Sequence, residues 1–164
     1  MLIRDGWQVL ALVFFSLCSY AEEQPELSNV SYAIEASFHT IHFHHNDEHN
    51  DRQNLIGIER RDASTVMGAT VFKNSFNQDS QYIYWGKRFP LQDSEYGLRA
   101  RVTFGLLHGY RGEYKNKIPL NRFGVAPAIL PSLGYTTRYI EGDVVLLGIN
   151  ALLFTISIPF AFSQ

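Results

Sequence analysis

The chain has 164 residues, 46% of them apolar, with a formal net charge of −2. That length accommodates one domain, and that apolar share excludes a disordered tail. The near balance of 14 Lys+Arg against 16 Asp+Glu argues against a nucleic-acid binder, and the single cysteine excludes an internal disulfide framework. Twelve Phe and nine Tyr suit a β-rich protein, and one that meets a membrane interface.

The N-terminus reads as a secretory signal peptide over residues 1–21. Arg4 precedes an apolar run from Val9 to Leu17, and Ser19-Tyr20-Ala21 places small residues around a cleavage site after Ala21. The run is shorter than the ~20 residues a spanning helix needs. Cleavage removes Cys18, so the mature protein is expected to be exported and free of thiols. Glu22 to Asn29 is polar and reads as a short helix or a loose N-terminal segment.

Beyond the leader the period is two. From Thr65, one face carries Val66, Gly68, Thr70, Phe72 and Asn74, and the other Met67, Ala69, Val71, Lys73 and Ser75. Near the C-terminus Leu152, Phe154, Ile156, Ile158 and Phe160 share a face opposite Leu153, Thr155, Ser157 and Pro159. Large apolar residues on one side and small or polar ones on the other fit a strand with lipid outside and a lumen inside. Segments of this kind fall near 37–45, 54–61, 65–74, 80–89, 96–109, 122–135, 138–147 and 151–161. Turn residues join them, as in Arg61-Asp62-Ala63-Ser64, Asn77-Gln78-Asp79, Gln92-Asp93-Ser94, Thr136-Thr137 and Gly148-Ile149-Asn150. Val144 to Phe162 is uncharged and long enough for a membrane helix. Asn150 and Pro159 argue instead for two strands around a Gly-Ile-Asn turn. The prediction is all-β: an eight-stranded antiparallel transmembrane β-barrel over 22–164, with a short N-terminal helix as an option and an aromatic final strand ending at Phe160 and Phe162.

Two stretches could carry chemistry. Five of the six histidines fall between 39 and 49: His39, His42, His44, His45 and His49, beside Asp47, Glu48 and Asp51. His42 and His44 would share a strand face and could ligate a metal together. The cluster mixes both faces, however, and runs into a polar loop, so it reads as a strand end and exposed loop, with no metal site assigned. His108, alone on a long strand, reads as structural. Ser75, in Phe72-Lys73-Asn74-Ser75-Phe76-Asn77, ends a strand. It is a nucleophile if a histidine reaches it and an ordinary turn residue if none does.

Several of these pieces, in order, resemble the PagP family of outer-membrane lipid A acyltransferases (lipid A palmitoyltransferases). Thr40-Ile41-His42 stands where the family has Thr-Trp-His. Asp51-Arg52-Gln53-Asn54 is similar to its Asp-Arg-Tyr-Asn, and Phe72-Lys73-Asn74-Ser75-Phe76-Asn77 to its Phe-Lys-Asp-Ser-Trp-Asn. Ile118-Pro119-Leu120 and Leu130-Pro131-Ser132-Leu133-Gly134-Tyr135 resemble its proline-bearing strand and Gly-Tyr end.

The resemblance implies that the lumen holds one acyl chain of a phospholipid donor, which is moved to lipid A or lipopolysaccharide in the outer membrane. His42, Ser75 and Asn74 take the catalytic positions, with His44 as the reserve histidine. Gly86, eleven residues after Ser75, has the offset of the glycine that floors the family's acyl pocket. Pro119, Pro127 and Pro131 would weaken the barrel wall for lateral lipid access, since proline lacks a ladder N–H. No cofactor is implied, and a closed barrel is expected to be a monomer.

Asn74 stands where the family has aspartate. It accepts a hydrogen bond but brings no charge, so transfer is expected to be weak or absent unless Asp47, Glu48 or Asp51 substitutes. Two readings therefore remain open: an acyltransferase, and a non-enzymatic small outer-membrane barrel that binds lipid or acts at the cell surface. A lipid A deacylase barrel fits less well, because no His-x-Ser motif follows His108.

Overall fold

A computed structural model describes residues 30–44, 49–94 and 96–161. The leader, His45, Asp47, Glu48 and Phe162 lie outside the described residues. Eight strands form one closed antiparallel barrel in sequence order. They are β1 (Ser31–His42), β2 (Ile56–Asp62), β3 (Thr65–Lys73), β4 (Asp79–Pro90), β5 (Gly97–His108), β6 (Val125–Thr136), β7 (Glu141–Leu147) and β8 (Ala151–Phe160). β1 closes the wall against β8.

The alternation decides which way each strand faces. On β3, Val66 and Thr70 are buried in the lumen while Met67 and Val71 are exposed outside. On β8, Ala151, Leu153, Thr155 and Ser157 are buried, and Ile156 and Ile158 are exposed. The outward faces together form an apolar belt that includes Ile34, Ile58, Ile83, Trp85, Phe104, Leu106, Ile129 and Leu133.

Turn chemistry corrects several boundaries. β1 runs over 31–42 rather than 37–45, because after His42 the chain bends and Phe43 N–H donates to the Asn150 carbonyl at 2.8 Å. β6 begins at Val125 because Arg122 and Val125 exchange hydrogen bonds across a tight turn. β7 begins at Glu141 because a Thr137–Ile140 turn precedes it, with Ile140 N–H donating to Thr137 Oγ1 at 3.1 Å. The uncharged C-terminal stretch is a hairpin. Gly148, at φ 60, lets the chain reverse between β7 and β8.

The short hairpins 63–64, 91–96 and 137–140 lie at one end of the barrel. The long connections 43–55 and 109–124 lie at the other, with 74–78 and 148–150. The lumen between them is divided. Its lower half is a salt-bridged plug. Glu59 accepts from Arg61 (2.7 Å), Arg101 (2.9 Å) and the Tyr84 hydroxyl (2.9 Å). Glu141 meets Arg61, Arg88 and Arg99 at 2.7–3.0 Å. Arg99 grips Asp143 through two nitrogens, and Arg101 also reaches Glu35. Four arginines thus face four carboxylates, which is how buried charge is tolerated.

Candidate active site

The upper half of the lumen contains a cavity of about 480 Å³, within the range of small-ligand sites. Leu55, Phe72, Leu107, Leu130 and Leu153 line its walls, and His42, Ser75, Tyr110 and Lys117 line its open end. Its floor is Tyr82. That ring stacks on Tyr84 at 5.1 Å, and its hydroxyl bonds the Thr103 hydroxyl at 3.2 Å. Tyr84 fits because position 68 is glycine: a Cβ there would lie 2.5 Å from the phenol.

A bulge aims His42 into this cavity. Up to Ser37, the odd residues of β1 face the lumen, with Ala33 and Glu35 buried. Ser37 pairs with Thr155, but His39 pairs with Phe154, so one extra residue enters β1. Phe38 and His39 are both exposed, and Thr40 becomes the next buried residue. The inward face is then even-numbered, and His42 pairs with the inward-facing Ala151. Without the bulge the imidazole would point outside.

Ser75 is presented by the turn between β3 and β4, and Asn74 builds that turn. Asn74 is wholly buried, and its Oδ1 accepts from Phe76 N–H (2.9 Å) and Gln78 N–H (3.1 Å). Asn77 takes the left-handed conformation, φ 58, that closes the turn. Asn74 therefore sits beside Ser75 and spends its carbonyl on backbone, rather than on the His42 ring. No charge is required for this, and asparagine suits it as well as aspartate.

The carboxylate beside the histidine belongs to Asp51. His42 Nδ1 lies 2.9 Å from Asp51 Oδ1, and His42 Nε2 lies 3.0 Å from Ser75 Oγ. Because a carboxylate only accepts, Nδ1 carries the proton of the neutral ring and Nε2 is left to accept from the serine hydroxyl. This is the connectivity of a serine–histidine–carboxylate triad. The 49–55 segment is fixed where it must be: Asn50 N–H donates to the Ser75 carbonyl (2.8 Å), and Thr40 N–H to the Asp51 carbonyl (3.0 Å). The His42 side chain is almost fully buried, at 7% exposure, whereas that of Asp51 is 58% exposed. Solvent therefore weakens the carboxylate's hold on the imidazolium relative to a buried aspartate.

Tyr110 completes the cluster. Its phenol lies beside Ser75, whose side chain and backbone N–H favour the ionised form, but burial outweighs them and pushes the phenol above the ordinary tyrosine range. It therefore keeps its proton at neutral and mildly alkaline pH and remains available as a donor next to the nucleophile. Sequence reasoning missed Tyr110. Its position in the 109–124 connection carries no motif, and only the closing of that loop over the 74–78 turn brings it to Ser75. Gln78 ties the two together, accepting from Arg111 N–H at 3.0 Å.

The other expected residues are dispersed. His44 lines the cavity but belongs to the bend after β1, and it is His42 that reaches Ser75. His49 packs at 4.5 Å against His42, and His39 faces outward. His108 bonds Gln81 at 2.7 Å. Gly86 faces inward on β4 but lies two inward positions past Tyr82, and the cavity floor is Tyr82. Pro127 and Pro131 lie on β6, whose pairing with β7 starts only at Ser132. That leaves a seam beside the cavity along Val125–Pro131. Pro119 lies outside the sheet, after the 3-10 helix Gly112–Lys117, so it interrupts no ladder, but it lines the cavity mouth.

No protein-family profile matches this sequence, and comparison with curated proteins gives no match either.

Proposed function

We propose that the chain is a PagP-like outer-membrane barrel that moves an acyl chain from a phospholipid to lipid A, with Ser75 as nucleophile and His42 as base. The observation that carries this reading is the Asp51–His42–Ser75 relay at the mouth of an apolar cavity. The outward apolar belt supports residence in a membrane, and the β6–β7 seam supports lateral entry of lipid from it.

The chemistry follows from the geometry. With an acyl chain in the cavity, its ester carbonyl lies at Ser75. The serine Oγ attacks the carbonyl carbon while its proton passes to His42 Nε2. Charge developing on the carbonyl oxygen is met by the Tyr110 hydroxyl, and the imidazolium is met by Asp51. The ester C–O bond breaks, and the lysophospholipid leaves with the proton from His42. A lipid A hydroxyl then gives its proton to His42 and attacks the acyl-serine; the Oγ–acyl bond breaks, and His42 returns the proton to Ser75 Oγ, which restores both residues.

The test is product analysis by mass. The protein is refolded in detergent and given phospholipid and lipid A, beside Ser75→Ala and His42→Ala variants shown to be folded. A one-acyl gain on lipid A, lost by at least ~10³-fold in each variant, is the expected result. Free fatty acid alone would make it a hydrolase. No product from the folded protein would favour a lipid-binding barrel without chemistry, the reading that the polar His-rich loop and the uncharged Asn74 first left open.

A further inference from the structure

Among the described residues that line the cavity there is one lysine or arginine, Lys117. Its situation differs from that of the plug arginines, each of which meets a carboxylate. Lys117 makes no ion pair among the described residues, and its ammonium lies 5.7 Å from the centre of the Phe76 ring. Phe76 follows Ser75 in sequence and stacks on Tyr114 at 4.1 Å, with the planes 13° apart. The segment that carries Lys117 is tied down further by Asn121, whose Nδ2 donates to the Tyr110 and Lys115 carbonyls, both at 2.9 Å. The ammonium of this exposed side chain thus stands at the cavity mouth beside the ring of Phe76, the residue that follows the candidate nucleophile. Around it the 109–124 connection carries Arg111, Lys115 and Arg122 against a single acid, Glu113.

A cation without an ion pair among the described residues, at the mouth of an apolar chamber and within a basic connection, points to a ligand with a long apolar part and an anionic head. In a glycerophospholipid the phosphate is a few bonds from the ester carbonyl. A chain in the lumen with its carbonyl at Ser75 therefore leaves that phosphate at the mouth. We infer that Lys117 is the phosphate-recognition residue of this cavity, holding the headgroup phosphate of the lipid whose acyl chain fills the lumen. A lysine point charge on a flexible stem suits a phosphate whose further substituents vary. The lipid's identity as an acyl donor rests on the function proposed above; its binding can be measured without turnover.

The experiment uses the full barrel carrying Ser75→Ala in a neutral detergent, titrated with dodecyl phosphate and separately with dodecanol. Methyl NMR of Leu107, Leu130 and Leu153 reports occupancy of the cavity. Adding Lys117→Ala is expected to weaken dodecyl phosphate about tenfold, the loss of one charge-assisted hydrogen bond, and dodecanol less than about twofold. Lys117→Arg is expected to keep phosphate binding within about threefold. Equal losses for both ligands, or none for either, would overturn the assignment. Displacement by inorganic phosphate at equal concentration would overturn the lipid source, because a headgroup site gains most of its affinity from the chain. If phosphate binding holds while the unsubstituted protein acylates nothing, the acyl-transfer reading fails and the Lys117 site stands.

Discussion

The two halves of the lumen handle polar groups in opposite ways. In the plug, charges are dense and mutually paired, and Arg61, Arg99 and Arg101 are almost wholly buried. In the upper half the walls are apolar, the polar groups are few, and they gather at one rim. A closed plug costs desolvation and returns rigidity; an open, underfilled chamber forgoes packing and leaves room for a ligand. The plug also seals the far end, which leaves the rim and the seam between β6 and β7 as the openings of the chamber.

The contrast breaks most readily from below. Arg101→Met leaves Glu35 and Glu59 facing one another without their shared cation. The expected cost is about 3–5 kcal/mol, read as a lower urea midpoint for unfolding of the refolded barrel. Adding Glu35→Gln and Glu59→Gln should recover part of it, since the penalty is an unpaired buried charge and not a lost contact. A single variant as stable as the parent would show that water or another cation reaches the plug.

At the rim, if the proposed acyl transfer is the reaction, Asp51→Asn is expected to lower its turnover by about 10²–10³. The corresponding change to a buried triad aspartate costs about 10⁴, and Asp51 is half exposed, so less is at stake. Asn74→Asp should not rescue this variant, because one oxygen at position 74 is committed to Phe76 and Gln78 and the other would take the place of Nδ2, which makes no hydrogen bond to His42. Full rescue would mean that the 74–78 turn rearranges to reach His42. Turnover of the single and double variants under saturating phospholipid separates the two.

The barrel was legible in the sequence wherever one period of two ran unbroken, as along β3 and β8. The hairpin around Gly148 was legible too, because Asn150 and Pro159 are poor residues for a membrane helix. β1 was harder: its inward face changes from odd to even at Phe38, and no strict alternation contains that step. The plug escaped notice although its mark was present. Glu59-x-Arg61, Arg99-x-Arg101 and Glu141-x-Asp143 each place two charges on one face of a strand. Charges on a strand suggest a solvated face, and only barrel closure brings opposite signs from five strands together. The pair His42 and Ser75, which the structure brings within 3.0 Å, was legible as a candidate site. The role of Asp51 was open among three carboxylates in the sequence; of the three, Asp51 alone is a described residue, and its Oδ1 lies 2.9 Å from His42 Nδ1. The turn-building role of Asn74 depends on N–H groups that have no sequence signature.

The turn itself offers a smaller test. Asn74→Ala removes the acceptor of two buried N–H groups, at an expected cost of about 1–2 kcal/mol in folding. It should also cut turnover by loosening Ser75. Asn74→Asp should keep the turn, because aspartate offers the same oxygen. Similar stability losses for both variants would mean that the Asn74 Nδ2, which has no partner among the described residues, matters more than its oxygen.

The boundary between the halves gives the subtlest prediction. Tyr82 ends the cavity, and behind it Tyr84 reaches into the plug by donating to Glu59 at 2.9 Å. Tyr82→Ala deletes the floor and leaves the rim chemistry in place. The preferred acyl chain should lengthen, because the chamber deepens by the thickness of one ring before it meets Tyr84. Gly86 lies beyond both rings, so Gly86→Ala should leave chain preference unchanged. It should instead lower stability, since a Cβ there would lie 2.3 Å from the Val102 carbonyl oxygen. Donors of graded chain length, compared by product mass, distinguish the two positions. A shift of preference in Gly86→Ala alone would place the floor four residues deeper along β4, and the chamber would then extend past the tyrosine pair when loaded.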